Sequence, residues 1–228
     1  MRQCLAEFIG TFFLCFAGIA TILSTYAPLE SGAGIVGIAL AHGLAIAIGV
    51  SVFGGVSGAH FNPAVTCSMM ATGRIQPPMA VAYIVSQCLA SVLAAFLCTI
   101  IFAPEAVESA NLGIPLPSDA GLSPGIVILV EFILTFLLVT AIFGTAVDER
   151  DMTLNIGGLA IGLTVTINIL AGGEVTGASM NPARSFGPAL IHGDFSLHWY
   201  YWLGPVLGGV VAALIYHHII LEKGDDQS

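Results

Sequence analysis

Charge is what this chain has least of. Among 228 residues there are five Lys and Arg and fourteen Asp and Glu, for a formal net charge of −9. So few cations, scattered rather than gathered on one face, exclude a nucleic-acid partner, which needs a basic surface. A charge-poor chain is also unable to clothe a soluble globule of this length. Cysteine is scarce and odd in number: Cys4, Cys15, Cys67, Cys88 and Cys98 lie in or beside apolar runs, with neither ligand spacing nor a disulfide framework. They read as small buried residues, and no cofactor or metal is expected. There is no nucleophile–base pair, metal spacing or phosphate loop, so an enzyme is not expected either.

What remains is apolar. Hydrophobic residues make up 57% of the chain, and its mean hydropathy is +0.96. A bilayer's hydrocarbon layer of about 30 Å takes about 20 helical residues to cross. Six stretches read as spans: Leu5 to Tyr26, Ala33 to Phe53, Met79 to Phe102, Gly125 to Val147, Ile156 to Leu170 and Leu197 to Leu221. The fifth is short and ends in Gly-rich sequence. No cleavable leader is expected, because the first apolar run is of spanning length.

Two copies of one word lie between these spans. Ser57-Gly58-Ala59-His60-Phe61-Asn62-Pro63-Ala64-Val65-Thr66 aligns with Thr176-Gly177-Ala178-Ser179-Met180-Asn181-Pro182-Ala183-Arg184-Ser185. Asn is a favoured helix N-cap, and Pro fits the first helical position because the N–H it lacks has no intrahelical partner there. Each copy therefore starts a helix, from Asn62 to Ala71 and from Asn181 to Ile191. At 1.5 Å per residue each is about 15 Å long, half a membrane. The repeat extends to Glu7-Phe8 and Glu131-Phe132, which open the two halves, about 1–103 and 125–222. Three spans per half make the repeat inverted, so the half-helices approach the midplane from opposite faces. The expected fold is an all-α membrane protein, one channel-like domain over 1–228 with six transmembrane helices and two re-entrant half-helices. The tail 223–228 is expected to be disordered.

Arg2, Arg74, Arg150 and Lys223 fall on one side of this topology. By the positive-inside rule that side, with both termini, is cytoplasmic. In a prokaryote the host membrane would be the plasma (inner) membrane. Arg184 is the cation the topology leaves unexplained: a surface charge of a loop, or a donor and cation repeller in a pore. Irregular backbone at membrane depth is tolerated where it is buried in protein or lines a wet cavity. Two helix N-termini meeting there, with Asn62 and Asn181, favour a neutral polar solute over a cation.

Over nearly its whole length the chain resembles the major intrinsic protein family of aquaporins and glycerol facilitators. The matching segments are the two decapeptides, the paired Glu-Phe helices and Trp199-Tyr200-Tyr201-Trp202-Leu203-Gly204-Pro205. The resemblance implies the aquaporin fold, a homotetramer with one pore per protomer, and water as cargo. It implies Asn62 and Asn181 at the pore midplane and a filter of His42, Ile169, Ala178 and Arg184. It also implies pore-lining backbone at Gly58, Ala59, His60, Gly177 and Ser179. This filter is similar to that of plant tonoplast aquaporins, whereas the stretch from Asn168 to Ser185 resembles nodulin-26-like channels and their bacterial relatives. Ser185, Ala189 and Tyr201-Trp202 stand where glycerol facilitators typically differ, which sides with the aquaporin branch. Ammonia, urea, glycerol, hydrogen peroxide and metalloid hydroxides are the further solutes the resemblance brings in.

Several residues keep two readings. His42 is a filter residue or a hydrogen-bonded packing residue. Glu7 and Glu131 support the re-entrant loops, as the family implies, or form the coupling path of an ion-driven secondary transporter. His60 lines the inner vestibule or orders the first loop. His217-His218 invites a metal reading, but adjacent helical residues point apart, which favours a plain helix end. Trp199, Tyr200, Tyr201 and Trp202 read for the most part as interfacial anchors. The connection from Ala103 to Pro124 is long enough to fold over a pore mouth, though no motif says so.

Overall fold

The computed structural model describes residues 1–26, 32–117, 122–148, 150 and 156–221. Lys223 and the tail 223–228 lie outside them. Helix α1 runs Arg2–Tyr26, α2 Gly34–Ser57, α3 Pro63–Ala71, α4 Pro77–Ile101, α5 Pro104–Ser109, α6 Pro124–Ile142, α7 Gly157–Thr176, α8 Pro182–His192 and α9 Tyr200–Ile215. Helices α6 and α9 each finish in a π-turn, Phe143–Val147 and Tyr216–Ile220. Six of these helices are long and apolar enough to cross a membrane, so the chain is an integral, multi-pass membrane protein. Helix α7 reaches Thr176, six residues beyond the Leu170 expected from sequence. Gly172 and Gly173 lie against the side-chain ends of Leu134 and Ile35, which would have to shift to admit a larger residue. The Thr176 hydroxyl is tied to Glu131. Together these contacts keep the last turns helical where local propensity is poor.

The half-helices α3 and α8 begin as the repeated word requires. Asn62 and Asn181 are extended, and their side chains accept from Ala64 N and from Ala183 N and Arg184 N. Each half-helix packs on the last span of the opposite half, α3 on α9 and α8 on α4, while α2 crosses α7. That crossing is close because Gly43 and Gly162 face each other: a Cβ on either would overlap the other's carbonyl oxygen. The halves also differ in how they fill matched space. Phe61's ring occupies notches at Gly10 and Gly49. Met180, its counterpart, meets Asn168, whose amide donates to Leu134 O and contacts the Met180 sulfur.

Where α6 and α9 finish, Tyr216 donates to Asp148 Oδ2 at 3.1 Å, and Arg150 bonds both Asp148 and Ile220 O. Hydrogen bonds from Arg150 hold the Asp148 carboxyl well below the usual aspartate range. A carboxyl depressed in the folded state stabilises fully above its unfolded pKa and loses that contribution as pH falls through the folded value. Asp148→Asn should lower the unfolding temperature of the purified protein at neutral pH, and the gap to the parent should close only in strong acid. Gly162→Ala should cost about 1–3 kcal/mol by overpacking and lower that temperature further. Gly54→Ala, where a Cβ meets nothing within 4 Å, should leave it unchanged.

Candidate functional site

The site begins with two loops of unusual backbone. Gly58 and Gly177, each at φ 84°, end α2 and α7 in the left-handed region. Ala59 and Phe61 follow at φ 51° and 50°, Ala178 and Met180 at 42° and 52°. Left-handed residues with a Cβ cost roughly 1–2 kcal/mol each, so these loops persist because the surroundings hold them. One carboxylate holds each loop. Glu7 accepts from His60 N at 3.0 Å, Phe61 N at 2.7 Å, Ser57 Oγ at 2.6 Å and Gln87 Nε2 at 2.8 Å. Glu131 accepts from Ser179 N at 3.0 Å, Met180 N at 2.8 Å and Thr176 Oγ1 at 2.7 Å. Both glutamates are fully buried.

Two tyrosines complete the support. Tyr83 donates to Ser57 O and Tyr201 to Thr176 O, at 2.9 and 2.7 Å. Tyr201 is therefore a buried prop and not the interfacial anchor its neighbours suggested; only 1% of it is exposed. The paired signal was present in the sequence, since Tyr83 and Tyr201 stand in corresponding places of the two halves. Gln87, which bridges Glu7 and Thr66, has Pro205 as its counterpart and so left no repeat signal.

The loops are also stitched to each other. Asn62 Nδ2 donates to Met180 O at 2.8 Å, and Asn181 Nδ2 donates to Phe61 O at 2.9 Å. With each Oδ1 committed to its own helix start, one N–H per asparagine is left over for a visitor.

Three consecutive cavities surround this stitch. The first, about 270 Å³, has Gly58, Ala59, His60, Asn62 and Arg74 in its wall. The second is a chamber of about 30 Å³ whose wall includes Asn62, Asn181, His42, Ile169, Ala178 and Arg184. The third, about 760 Å³, is lined in part by Tyr26, Asn111, Glu174, Gly177 and Arg184. The first two share Ile46, Asn62, Leu138 and Val165, and the last two share Ile169 and Arg184. Ser179 also lines the chamber. The structure thus brings His42, Ile169, Ala178 and Arg184 to one narrow place. A volume of about 30 Å³ holds one or two waters.

Arg184 is 5% exposed and donates from Nη1 to Gly113 O at 2.7 Å. Among the described residues no carboxylate forms a direct ion pair with it, although Glu131 acts on it through space, and the guanidinium lines the chamber. The carbonyl that steers it comes from the connection after α4, which sequence reasoning left without a motif. Asn111, Leu112 and Gly113 are all left-handed, at φ 46°, 50° and 74°. Leu112 is fully buried among Cys15, Ile19 and Leu23 of α1, and that burial pins the loop. His42 donates from Nδ1 to Ile38 O at 2.8 Å, because a carbonyl can only accept. Its ring fits a notch at Gly18, where any Cβ would overlap it.

Glu7 and Glu131 line none of the three cavities, and their oxygens are occupied by loop donors. That geometry suits support and offers nothing to an ion-coupled carrier. Glu131→Gln replaces one accepting oxygen with a donor facing other donors, where each hydrogen bond to a charged group is worth about 1.5–3 kcal/mol. The variant should lose thermal stability and solute flux together; a coupling carboxylate would instead lose gradient dependence with the fold intact.

The family profile of the Major intrinsic protein matches residues 1–216. Aquaporin TIP4-4 of Zea mays is 42% identical over 229 residues, covering 98% of this chain and 88% of that protein. Aquaporin TIP2-1 of Arabidopsis thaliana is 42% identical over 231 residues, covering 99% and 90%. The solved structure of the aquaglyceroporin from Plasmodium falciparum shares the fold at a TM-score of 0.82 and 22% identity, over 96% of each chain. The paired loops, the asparagine stitch and these likenesses together make the chain a member of the major intrinsic protein family.

Proposed function

We infer that the protein is a passive membrane channel for water that also admits small neutral solutes. The observation that carries this is the chamber of about 30 Å³ walled at once by Asn62, Asn181 and Arg184. Each asparagine keeps one N–H for a passing oxygen, and the two half-helix N-termini supply roughly half a positive charge apiece. Arg184 adds a full charge in the wall of the same chamber. A cation entering from either side is repelled, while a neutral molecule that accepts hydrogen bonds is received.

On this reading His42, Ile169, Ala178 and Arg184 form the filter, and Asn62 and Asn181 mark the midplane. Gly58, Ala59, His60, Gly177 and Ser179 present loop backbone to the pathway, and Glu7 and Glu131 hold the loops. Ile169 and Ala178 leave part of the filter apolar and small, which favours admission of ammonia, urea, glycerol, hydrogen peroxide or metalloid hydroxides beside water. Arg2, Arg74 and Arg150 orient both termini to the cytoplasm, so the cavity beside Arg74 opens inward. The plant relatives lend nothing to a prokaryotic inner membrane. The halves 1–103 and 125–222 act as inverted repeats of one domain, and the assembly is a homotetramer, as the family resemblance implies.

Stopped-flow light scattering on proteoliposomes tests the channel. Osmotic shrinkage in an impermeant sugar should be fast and unchanged by ionophores that dissipate proton and sodium gradients; a flux that collapses with the gradient would contradict it. Reswelling in glycerol, urea or ammonium gradients names the second cargo, and none at all would remove the permissive filter. Arg184→Ala should keep solute flow and weaken charge exclusion, and unchanged selectivity would put Arg184 outside the pathway.

A further inference from the structure

The first cavity carries a reactive group that solute passage does not use. The residues of the first half-helix that meet it are Asn62, Val65 and Met69, three and four apart, which places them on one face. Met69 O accepts from Arg74 N at 2.8 Å, so the helix end takes its carbonyl and the side chain is what the cavity meets. Only 8% of Met69 is exposed, and it shares the wall with Ile46, Val50, Leu138 and Ile142. Two other methionines differ. Met180 is 2% exposed, and Asn168 Nδ2 covers its sulfur at 3.1 Å. Met70 lines none of the three cavities.

A thioether is oxidised by peroxide. A sulfur lone pair attacks one oxygen of hydrogen peroxide and the O–O bond breaks. The proton of the transferred oxygen passes to the departing hydroxide, which leaves as water. Sulfur is oxidised, peroxide is reduced, and no third reactant enters. The product is a sulfoxide, whose oxygen is a hydrogen-bond acceptor where the thioether was apolar. Arg74 stands beside it in the same wall. Its Nη1 lies 3.3 Å from Thr72 O and 3.3 Å from His217 Nδ1, and the guanidinium lies 5.1 Å from the centre of the Phe143 ring. Nε and Nη2 bond no described residue, so a group that can only donate has N–H left for a new acceptor.

We propose that Met69 is an oxidation site for hydrogen peroxide entering the first cavity, and that its sulfoxide oxygen accepts from Arg74 at the inner mouth and slows the passage. The effect on flux rests on the channel reading above, whereas the oxidation needs only that peroxide reach the cavity. An oxidising cargo thus limits its own flow. Water and the other neutral solutes leave the thioether as it is.

The test treats proteoliposomes with hydrogen peroxide, then reads water flux by stopped flow and the oxidised residues by peptide mass spectrometry. Fragmentation between Met69 and Met70 places the added oxygen. Expected are a sulfoxide at Met69 with Met180 unchanged, and water flux slowed about fivefold, the bias that one hydrogen bond supplies. Met69→Leu should lose none of its own starting flux to peroxide. Arg74→Ala should be oxidised at Met69 and slowed far less than the parent. A Met69 left unoxidised once the exposed Met1 has reacted overturns the proposal. So does an oxidised parent that conducts as before, or an equal loss of flux in the parent and either variant. A parent oxidised at Met69 that conducted nothing before peroxide would overturn the channel reading instead.

Discussion

Two buried carboxylates hold two strained loops, and those loops line the cavities between the two halves. Each loop places residues bearing a Cβ in the left-handed region, a conformation the chain leaves unless something holds the N–H groups that it exposes. Glu7 and Glu131 take those N–H groups on the side away from the cavities. The loops in turn aim the asparagines at each other, and each asparagine bonds the opposite loop's carbonyl. The midplane is thus built from both halves at once, so a fault in either loop reaches the other.

Selectivity follows from what that arrangement leaves unpaired. Nearly every polar atom at the stitch has a fixed partner, and what remains is one N–H per asparagine and the charge of Arg184. On the proposed reading, positive potential with no direct ion pair, in a chamber the size of one or two waters, would discriminate by charge before size becomes decisive. Arg184 depends on a buried apolar residue some distance away in sequence. Leu112 sinks into the face of α1, and the adjacent Gly113 carbonyl then holds the guanidinium in place.

Much of this was legible in the sequence because it repeats. The duplicated decapeptide marked the half-helices and their asparagine caps, and the paired Glu-Phe words marked the carboxylates. Spacing taken from the family brought His42, Ile169, Ala178 and Arg184 together, and they do line one chamber. What escaped notice lacks a repeat or a local pattern. Gln87 has a proline for a counterpart. The Asn111–Gly113 turn has Asn and Gly at two of its three left-handed positions, but the burial of Leu112 at the third is a tertiary contact that no local pattern marks. Tyr201 sits in a run of four aromatics that suggests a membrane interface, and that run masks a hydroxyl that reaches the end of α7. The last turns of α7 carry glycines that lower helix propensity and also let neighbouring helices approach, so local sequence alone does not show them to be helical.

The central claim is that one narrow passage conducts neutral molecules and refuses protons and ions. Vesicles containing the protein and a pH-sensitive dye, exposed together to an osmotic step and a pH step, test both halves of it in one recording. The account predicts shrinkage much faster than in protein-free vesicles while the interior pH drifts no faster than in them. An interior pH that equilibrates at a rate scaling with the amount of protein would contradict it.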